Sequence, residues 1–468
     1  MKSKLIEIFT TFENTNINYC LLRGYDDLKK IESFKEIDLL VAPGHLKKLA
    51  NMLAKQGFVE LPNWGHKPHF FYVAYLHETG MWLKFDVVTE LRYGKPIRLY
   101  RVGLANECLS FRQKRELAYT LAPEHELITL LLHCLLDKGA IKPAYASRLQ
   151  ELHKRIKADS AAHKRFEEYI SYYFAPAMTL HMLRHALEAA DWQLLLNQSK
   201  ALGKQLHATH ARNYFLRKIF SKIVLKLRPL FFMLRRKGLY VALLAADGAG
   251  KSTLASRLVQ DKTIRAQLVY MGTNINASTV GLPTTKWLHA RVKAKLTNPD
   301  ASGNGRLKKP TLVNKILRAL NFINKLAEKW YRIFVARYLR ARGRFVVFDR
   351  YIYDSWLVQR PNTLWKKIRR LLFEKGYPKP DLVIFLDAPG EVLFKRKGEH
   401  TPEWLEQQRQ GYLALKQRIP QMVVIDATQQ ADAVEREVKS LIWSHYRFRS
   451  GETILNGNGN LGITAKNN

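Results

Sequence analysis

The stretch VALLAADGAGKSTLASRLV, residues 241–259, decides the reading of this chain. It begins as an apolar run, continues as a loop of small residues and ends with helical spacing. A strand that runs into a glycine-bearing loop and then opens a helix is a cradle for anions. Successive backbone N–H groups turn inward there, and the helix N-terminus adds partial positive charge. The loop reads Ala245, Ala246, Asp247, Gly248, Ala249, Gly250, Lys251, Ser252 and Thr253. It follows the phosphate-binding spacing GxxxxGK(S/T), with alanine in place of the first glycine. Gly248 and Gly250 let the backbone approach phosphate, Lys251 can reach the β- and γ-phosphates, and the Ser252 hydroxyl is placed for Mg²⁺. Alanine at 245 is compatible with this provided that the backbone there is an ordinary strand.

Outward from the loop, strands and helices alternate. Strand patterns fall at 240–244, 268–271, 345–348, 382–386 and 422–425, and a long helical pattern covers 311–340. This alternation predicts parallel strands with crossover helices, an α/β class. The polar stretch 273–309 reads as a long loop. Residues 449–468, rich in Gly and Asn, read as a disordered tail.

Residues 247–253 resemble the DGxGKST loop of the thymidylate kinases. The likeness continues in RGRFVVFDRY, residues 342–351, similar to the strand end of that family that closes on DRY. It continues in PDLVIFLDAP, residues 380–389, similar to PDLTxxLDxxP. Arg396 and the run Arg409, Gln410, Gly411, Tyr412 resemble the lid and the helix after it. The pieces span about 237–445 in the family's order.

The resemblance implies a P-loop NTPase sheet with flanking helices, and ATP and Mg²⁺ as cofactors. Asp247, Gly248, Ala249, Gly250, Lys251, Ser252 and Thr253 would form the ATP-binding loop. Lys251, Asp349, Arg350 and Arg396 would be catalytic. Ser252 and Asp349 would hold the metal, and Asp247, Arg350 and Gln359 would bind the acceptor. Phosphoryl transfer asks for this set on independent grounds, because it needs positioning and positive charge around spreading oxygens rather than a covalent nucleophile.

The acceptor side departs from the family. Its Arg-Glu-Pro segment is absent after Val269, Tyr270 and Met271, and its serine after DRY is Asp354 here. The expected function is an ATP-dependent phosphotransferase of the thymidylate or nucleoside monophosphate kinase type, moving the γ-phosphoryl group to a (d)NMP-like acceptor. One alternative is a kinase of the same fold acting on a sugar or a lipid-linked intermediate. Another is a nucleotide-binding regulatory protein.

A second constellation lies in the first half. Leu22, Arg23, Gly24 and Tyr25, then Glu36, Ile37, Asp38 and Leu39, then Phe85, Asp86 and Val87 resemble the minimal nucleotidyltransferase pattern. Acids alternating along a strand project to one face, and a third on a neighbouring strand completes an oxygen cage for Mg²⁺. The resemblance implies an α+β domain with Gly24, Glu36, Asp38 and Asp86 as its site. A plain αβ domain with solvated acids at its strand ends accounts for the same residues. His125, His133 and Asp137 lack HExxH spacing and read as packing or surface groups.

Strand patterns in this half fall at 18–22, 36–41, 70–75 and 81–88, with helices at 4–13, 45–56 and 127–136. From about 140 to 236 the chain reads as helical. The organisation expected is a nucleotidyltransferase-like domain over 1–138, a helical connector with a basic amphipathic end over 139–236, a thymidylate-kinase-like P-loop domain over 237–448, and the tail. A chain of 468 residues suits several domains at ~150 residues each.

The net charge of +37, from 77 Lys and Arg against 40 Asp and Glu, favours polyanionic partners. Nine of the basic residues, and no acid, fall in 212–237 among apolar side chains. That segment suits an anionic membrane surface, and equally an interdomain helix packed on its neighbour. No nucleic-acid-binding signature accompanies it. Cys20, Cys108 and Cys134 form no metal spacing and leave an odd count, which fits a reducing compartment. The first residues lack the apolar core of a signal peptide. The expected location is cytoplasmic, with a peripheral position at the inner membrane face open.

Overall fold

A computed structural model of the chain describes residues 2–29, 36–61, 69–94, 100–208, 219, 222–223, 238–264, 266–272, 312–357 and 376–448. Gln359, the loop 273–309, the tail 449–468 and most of the basic segment 212–237 lie outside the described residues. The chain divides into two compact units, Met1–Leu230 and Phe231–Asn468.

The first unit is built on a seven-stranded sheet. Its strands are β1 (Tyr19–Leu21), β2 (Ile37–Val41), β3 (Val59–Glu60), β4 (His69–Leu76), β5 (Met81–Val88), β8 (Gln113–Lys114) and β9 (Tyr119–Thr120), in the order β3-β4-β5-β2-β1-β9-β8. A separate hairpin joins β6 (Leu91–Tyr93) to β7 (Tyr100–Val102). Period-two alternation sorts the side chains of β2. Ile37, Leu39 and Val41 join Phe9, Phe12, Tyr19 and Phe85 in one core, with Leu49 and Leu53 of the helix Leu46–Lys55. Leu40 joins Cys20 and Val88 in the other.

That second core also holds Leu127, Leu149, Phe166, Leu183 and Leu195. The helices between 143 and 208 therefore share a core with the sheet. Asp38 has the parity of Leu40, and Asp86 that of Val88, so the pleat carries both carboxylates to this helical side. Cys20, Cys108 and Cys134 are buried and free. Burial pushes the Cys20 thiol up to about 12 and the Cys134 thiol to about 11, which suppresses the reactive thiolate.

The second unit is a five-stranded parallel sheet. Its strands are β10 (Tyr240–Ala245), β11 (Gln267–Tyr270), β12 (Val346–Asp349), β13 (Leu382–Asp387) and β14 (Met422–Asp426), in the order β11-β12-β10-β13-β14. Every neighbouring pair is parallel. Each residue of β10 is buried, as two-sided cover by helices requires, so the strand reads as a continuous apolar run.

The 30-residue helix Leu312–Ala341 packs beside β11 and β12. Its Arg332 is 4% exposed, pairs with Glu328 at 2.9 Å, and donates to the carbonyls of Tyr270 and Gly272 at 3.1 and 3.0 Å. The end of β11 is pinned by these bonds. Strand order reverses beside β10, which places a crevice at the carboxyl ends of β10, β12 and β13. No helix among the described residues is long and apolar enough to cross a membrane.

Candidate active site

The phosphate loop leaves the centre of this sheet. Ala245 is the last residue of β10 and stands opposite Leu386 in the ladder with β13. An ordinary strand position needs no glycine, which accounts for the alanine. The loop then turns through Gly248 at φ +91° and Gly250 at φ +83°, a left-handed region that glycine enters without strain. Gly250 caps the helix Lys251–Gln260. A Cβ on Gly248 would lie 2.6 Å from the Leu393 carbonyl oxygen. The loop is thus pressed against the helix Gly390–Lys397.

A charged cluster forms where β10 and β12 end. The Lys251 side chain is 10% exposed, with Nζ 3.6 Å from Asp349 Oδ1. Burial lowers its pKa, and Asp354 and Asp349 oppose that shift. Arg350 sits at φ +60°, a conformation costly for a non-glycine residue and commonest at functional sites. Its Nη2 donates to Asp247 Oδ1 at 3.1 Å, and its Nη1 is 4.0 Å from Asp354 Oδ2.

Tyr412 donates its hydroxyl to Asp354 Oδ1 at 2.9 Å. Burial raises the Asp354 pKa, with Lys251 opposing. Asp349 Oδ1 and Asp354 Oδ2 are buried without a hydrogen-bond partner among the described residues. Buried carboxylate oxygens in that state call for a donor or a cation. The donor set of Asp349 and the Ser252 hydroxyl, both oxygen, therefore fits Mg²⁺.

Sequence reasoning placed Lys251, Asp349, Arg350 and Asp247 in one site, and the fold brings them together. Ser252 and Thr253 lie exposed at the helix start. Arg396 is outside the cluster: its guanidinium donates to the carbonyls of Ala427 at 2.8 Å and Thr428 at 3.4 Å, just past β14. Arg409 clamps Asp387 through Nε and Nη2 at 2.6 and 3.0 Å and pairs with Glu406. His400 stacks on Trp404 with ring centroids 4.0 Å apart and brings Nε2 within 3.7 Å of Asp247 Oδ2. Tyr412 and His400 were not singled out as site residues in the sequence. The departure from serine at Asp354 was the one available signal.

The first unit holds a cleft between its sheet and the helix Pro123–Leu132, lined by Arg23, Asp38, His69, Asp86, Tyr93 and Thr129 among others. Asp38 and Asp86 stand opposite each other in the parallel ladder of β2 and β5. One oxygen each from Glu36, Asp38 and Asp86 lies within 4.8 Å of the others. Arg23 Nε is 2.5 Å from Asp38 Oδ2, and His69 Nδ1 is 2.9 Å from Asp86 Oδ1. Burial, with the Asp38 and Asp86 charges, pushes the Glu36 carboxyl up to about 7. Gly24 has φ +78° between β1 and the helix Tyr25–Lys29.

His133 and Asp137 pair at 3.1 Å, and Asp137 accepts from the Gly94 amide at 2.8 Å. His125 is fully buried beside Phe111 and Tyr169, and burial lowers its pKa to about 4. His133 and Asp137 line the same cleft as Asp38 and Asp86, whereas His125 is packed in the core.

A family model described as thymidylate kinase matches residues 309–438. A probable thymidylate kinase of Staphylothermus marinus is 31% identical over 226 residues, covering 46% of this chain and 100% of that protein. A probable thymidylate kinase of Methanosphaera stadtmanae is 26% identical over 216 residues, covering 45% of this chain and 100% of that protein. Among solved structures, the thymidylate kinase of Candida albicans is 20% identical, covers 45% of this chain and 93% of its own, and superposes with a TM-score of 0.32.

Proposed function

This chain belongs to the thymidylate kinase family, and from that premise we propose that its second unit moves the γ-phosphoryl group of Mg·ATP to an acceptor seated over Asp247 and Arg350. It is a P-loop kinase, a phosphotransferase of the nucleoside monophosphate kinase type. The observation that carries the reading is the loop itself. Two left-handed glycines lead into a helix N-terminus, with a lysine side chain only 10% exposed beside Asp349.

In this reading the amides of 248–252 and Lys251 seat the β- and γ-phosphates, and Ser252 and Asp349 hold Mg²⁺. A Mg²⁺ held by Ser252 and Asp349 would supply positive charge against the negative charge that develops on the transferring group. Arg350, braced by Asp247, orients the acceptor. Arg396 would reach the phosphates only by leaving the Ala427 and Thr428 carbonyls, as a lid residue does on closure. Calorimetry with Mg·ATP, followed by transfer of a γ-label to a panel of acceptors, tests the proposal. Retained nucleotide and labelled acceptor are expected. A chain that takes up no ATP is not a kinase. The (d)NMP-like acceptor is the first reading, and a sugar or lipid-linked acceptor is the second, motivated by the departure from serine at Asp354.

For the first unit we infer a nucleotidyltransferase-like module whose Glu36, Asp38 and Asp86 hold a divalent ion, on the strength of their convergence. Manganese titration of the nucleotide-free chain, read by electron paramagnetic resonance, is expected to lose one bound ion in Asp86→Asn. Because the Glu36 carboxyl is raised, it is mostly protonated at pH 6 and mostly ionised at pH 8. Affinity should therefore rise on the order of tenfold across that interval. Identical titrations of the two proteins would exclude the ion.

A further inference from the structure

We propose that His133, oriented by Asp137, is the general base of the first unit, and that it takes the proton of a hydroxyl acceptor held in the cleft beside Glu36, Asp38 and Asp86. The inference rests on the reading of that unit as a nucleotidyltransferase-like module and adds residues to its site. Its first support is placement. His133 and Asp137 line the same cleft as Arg23, Asp38, His69 and Asp86. Arg23, which is bonded to Asp38, is close enough for its charge to act on the His133 ring.

The second support is the way the ring is held. The helix Pro123–Leu132 passes into a π-helical turn, His133–Lys138. Such turns are rare and concentrate at functional sites. Residues four apart are neighbours on a helical surface, and His133 Nδ1 lies 3.1 Å from Asp137 Oδ2. The other oxygen of that carboxylate, Oδ1, accepts from the Gly94 amide at 2.8 Å, just past β6. Asp137 is therefore a fixed acceptor. A carboxylate accepts, so Nδ1 carries the ring hydrogen and Nε2 keeps its lone pair.

An orienting carboxylate, an imidazole and a second nitrogen left for a ligand form the arrangement that general-base chemistry uses. The His133 side chain keeps 9% exposure. His125, on the helix that leads into this turn, differs: both its ring nitrogens are sealed and unbonded among the described residues. Burial lowers the His133 pKa, the bond to Asp137 opposes that shift, and the Arg23 charge adds to it. A ring held below its ordinary value of ~6.5 is mostly neutral at physiological pH, the form a base needs.

The step balances with a nucleoside triphosphate as co-reactant. The acceptor O–H gives its proton to His133 Nε2, and its oxygen forms the new bond to the α-phosphorus. The bond from that phosphorus to the α,β-bridging oxygen breaks, and its electron pair leaves with pyrophosphate. The imidazolium then returns the proton to solvent. A phosphate or carboxylate acceptor is already ionised at neutral pH and would need no base. Dependence on His133 therefore marks the acceptor as a hydroxyl.

Water is the simplest hydroxyl, and the test uses it. The full chain is given Mn²⁺ and a panel of α-labelled nucleoside triphosphates, and release of labelled monophosphate is followed. Loss of a γ-phosphoryl group in the second unit leaves a diphosphate, so the two units are read separately. His133→Ala is expected to lower monophosphate release on the order of a hundredfold, the usual worth of a general base. Its Mn²⁺ affinity should change less than about threefold, and free imidazole should restore part of the rate. Nitrogen NMR of labelled histidine is expected to show the Nδ1–H tautomer at His133 in the wild type. In Asp137→Asn the amide donates to Nδ1 instead, so the ring should switch to Nε2–H and the rate should fall at least ~tenfold. That arm carries the test if His133→Ala fails to fold.

The proposal is overturned if the wild type binds Mn²⁺ but releases no monophosphate, if His133→Ala is as fast as the wild type, or if Nε2 carries the hydrogen in the wild type. A wild type that binds no Mn²⁺ removes the metal-module reading instead, and this inference with it.

Discussion

Lys251→Ala is expected to reduce phosphoryl transfer on the order of 10³-fold, the loss of one preorganised charge aimed at the transferring group. The ammonium group has little access to water, with 10% of its side chain exposed, and lies 3.6 Å from Asp349 Oδ1. Burial, and with it the Arg350 charge, depresses its pKa. The nearby Asp354, Asp349 and Asp247 carboxylates work the other way. Those charges are arranged before substrate arrives, so no reorganisation is needed when negative charge spreads over the γ-oxygens.

Removing the cation also takes away the positive charge that opposes Asp349 and Asp354. ATP affinity should fall too, because an incoming triphosphate then meets uncompensated carboxylates. Single-turnover transfer of a γ-label separates the two effects by varying ATP at fixed protein. A variant that keeps a tenth or more of the wild-type rate at saturating ATP would mean that Lys251 does not touch the transferring group. Lys251→Arg is a useful companion, since it retains charge but brings a wider, planar group into a confined position.

The second large effect is expected at Gly248. The left-handed φ of +91° there costs an L-residue about 1–3 kcal/mol. The added methyl group would also sit 2.6 Å from the Leu393 carbonyl oxygen. That neighbour is main chain at the middle of a helix and cannot rotate away. Either the loop or the helix Gly390–Lys397 must shift, and the amides that face the phosphates shift with it.

Gly248→Ala should therefore weaken ATP binding on the order of 10²-fold, about 3 kcal/mol at 1.4 kcal/mol per decade. Calorimetry reads that loss, and thermal unfolding reads the accompanying strain. Gly250→Ala is the control, because it shares the left-handed φ at +83° but has nothing within 4 Å of the added carbon. Equal losses in the two variants would assign the effect to backbone conformation alone. A larger loss at 248 would assign the difference to the contact with Leu393.

Much of the fold was legible because its signals are local. β5 falls at Met81–Val88 and β10 begins at Tyr240, where the patterns put them. Helix ends moved by a few residues where capping intervened. The helix expected at 127–136 begins at Pro123, since proline suits the first turn. Its end passes into a π-helical turn, His133–Lys138. Strands of two or three residues, such as β3, β8 and β9, carry too short a pattern to be read.

The site divides along the same line. The loop from Asp247 to Thr253 is contiguous, and backbone geometry plus one lysine suffices to identify it. The rest depends on pairs that no local pattern contains. Arg350 meets Asp247 across 103 positions of chain, and Tyr412 meets Asp354 across 58. In the first unit, Asp38 faces Asp86 only because β2 and β5 run parallel in one register.

By itself, then, the order of residues determined the α/β class, the alternation of elements, the phosphate loop and its chemistry. These follow from periodicity and from what glycine permits over a few bonds. Tertiary structure alone decided that Arg350 arrives already paired, that Arg396 is held by carbonyls beyond β14, and that Asp354 is buried against the Tyr412 hydroxyl. Electrostatic character depends on distances between strand ends, and those distances are set by sheet order and register, which sequence separation does not encode.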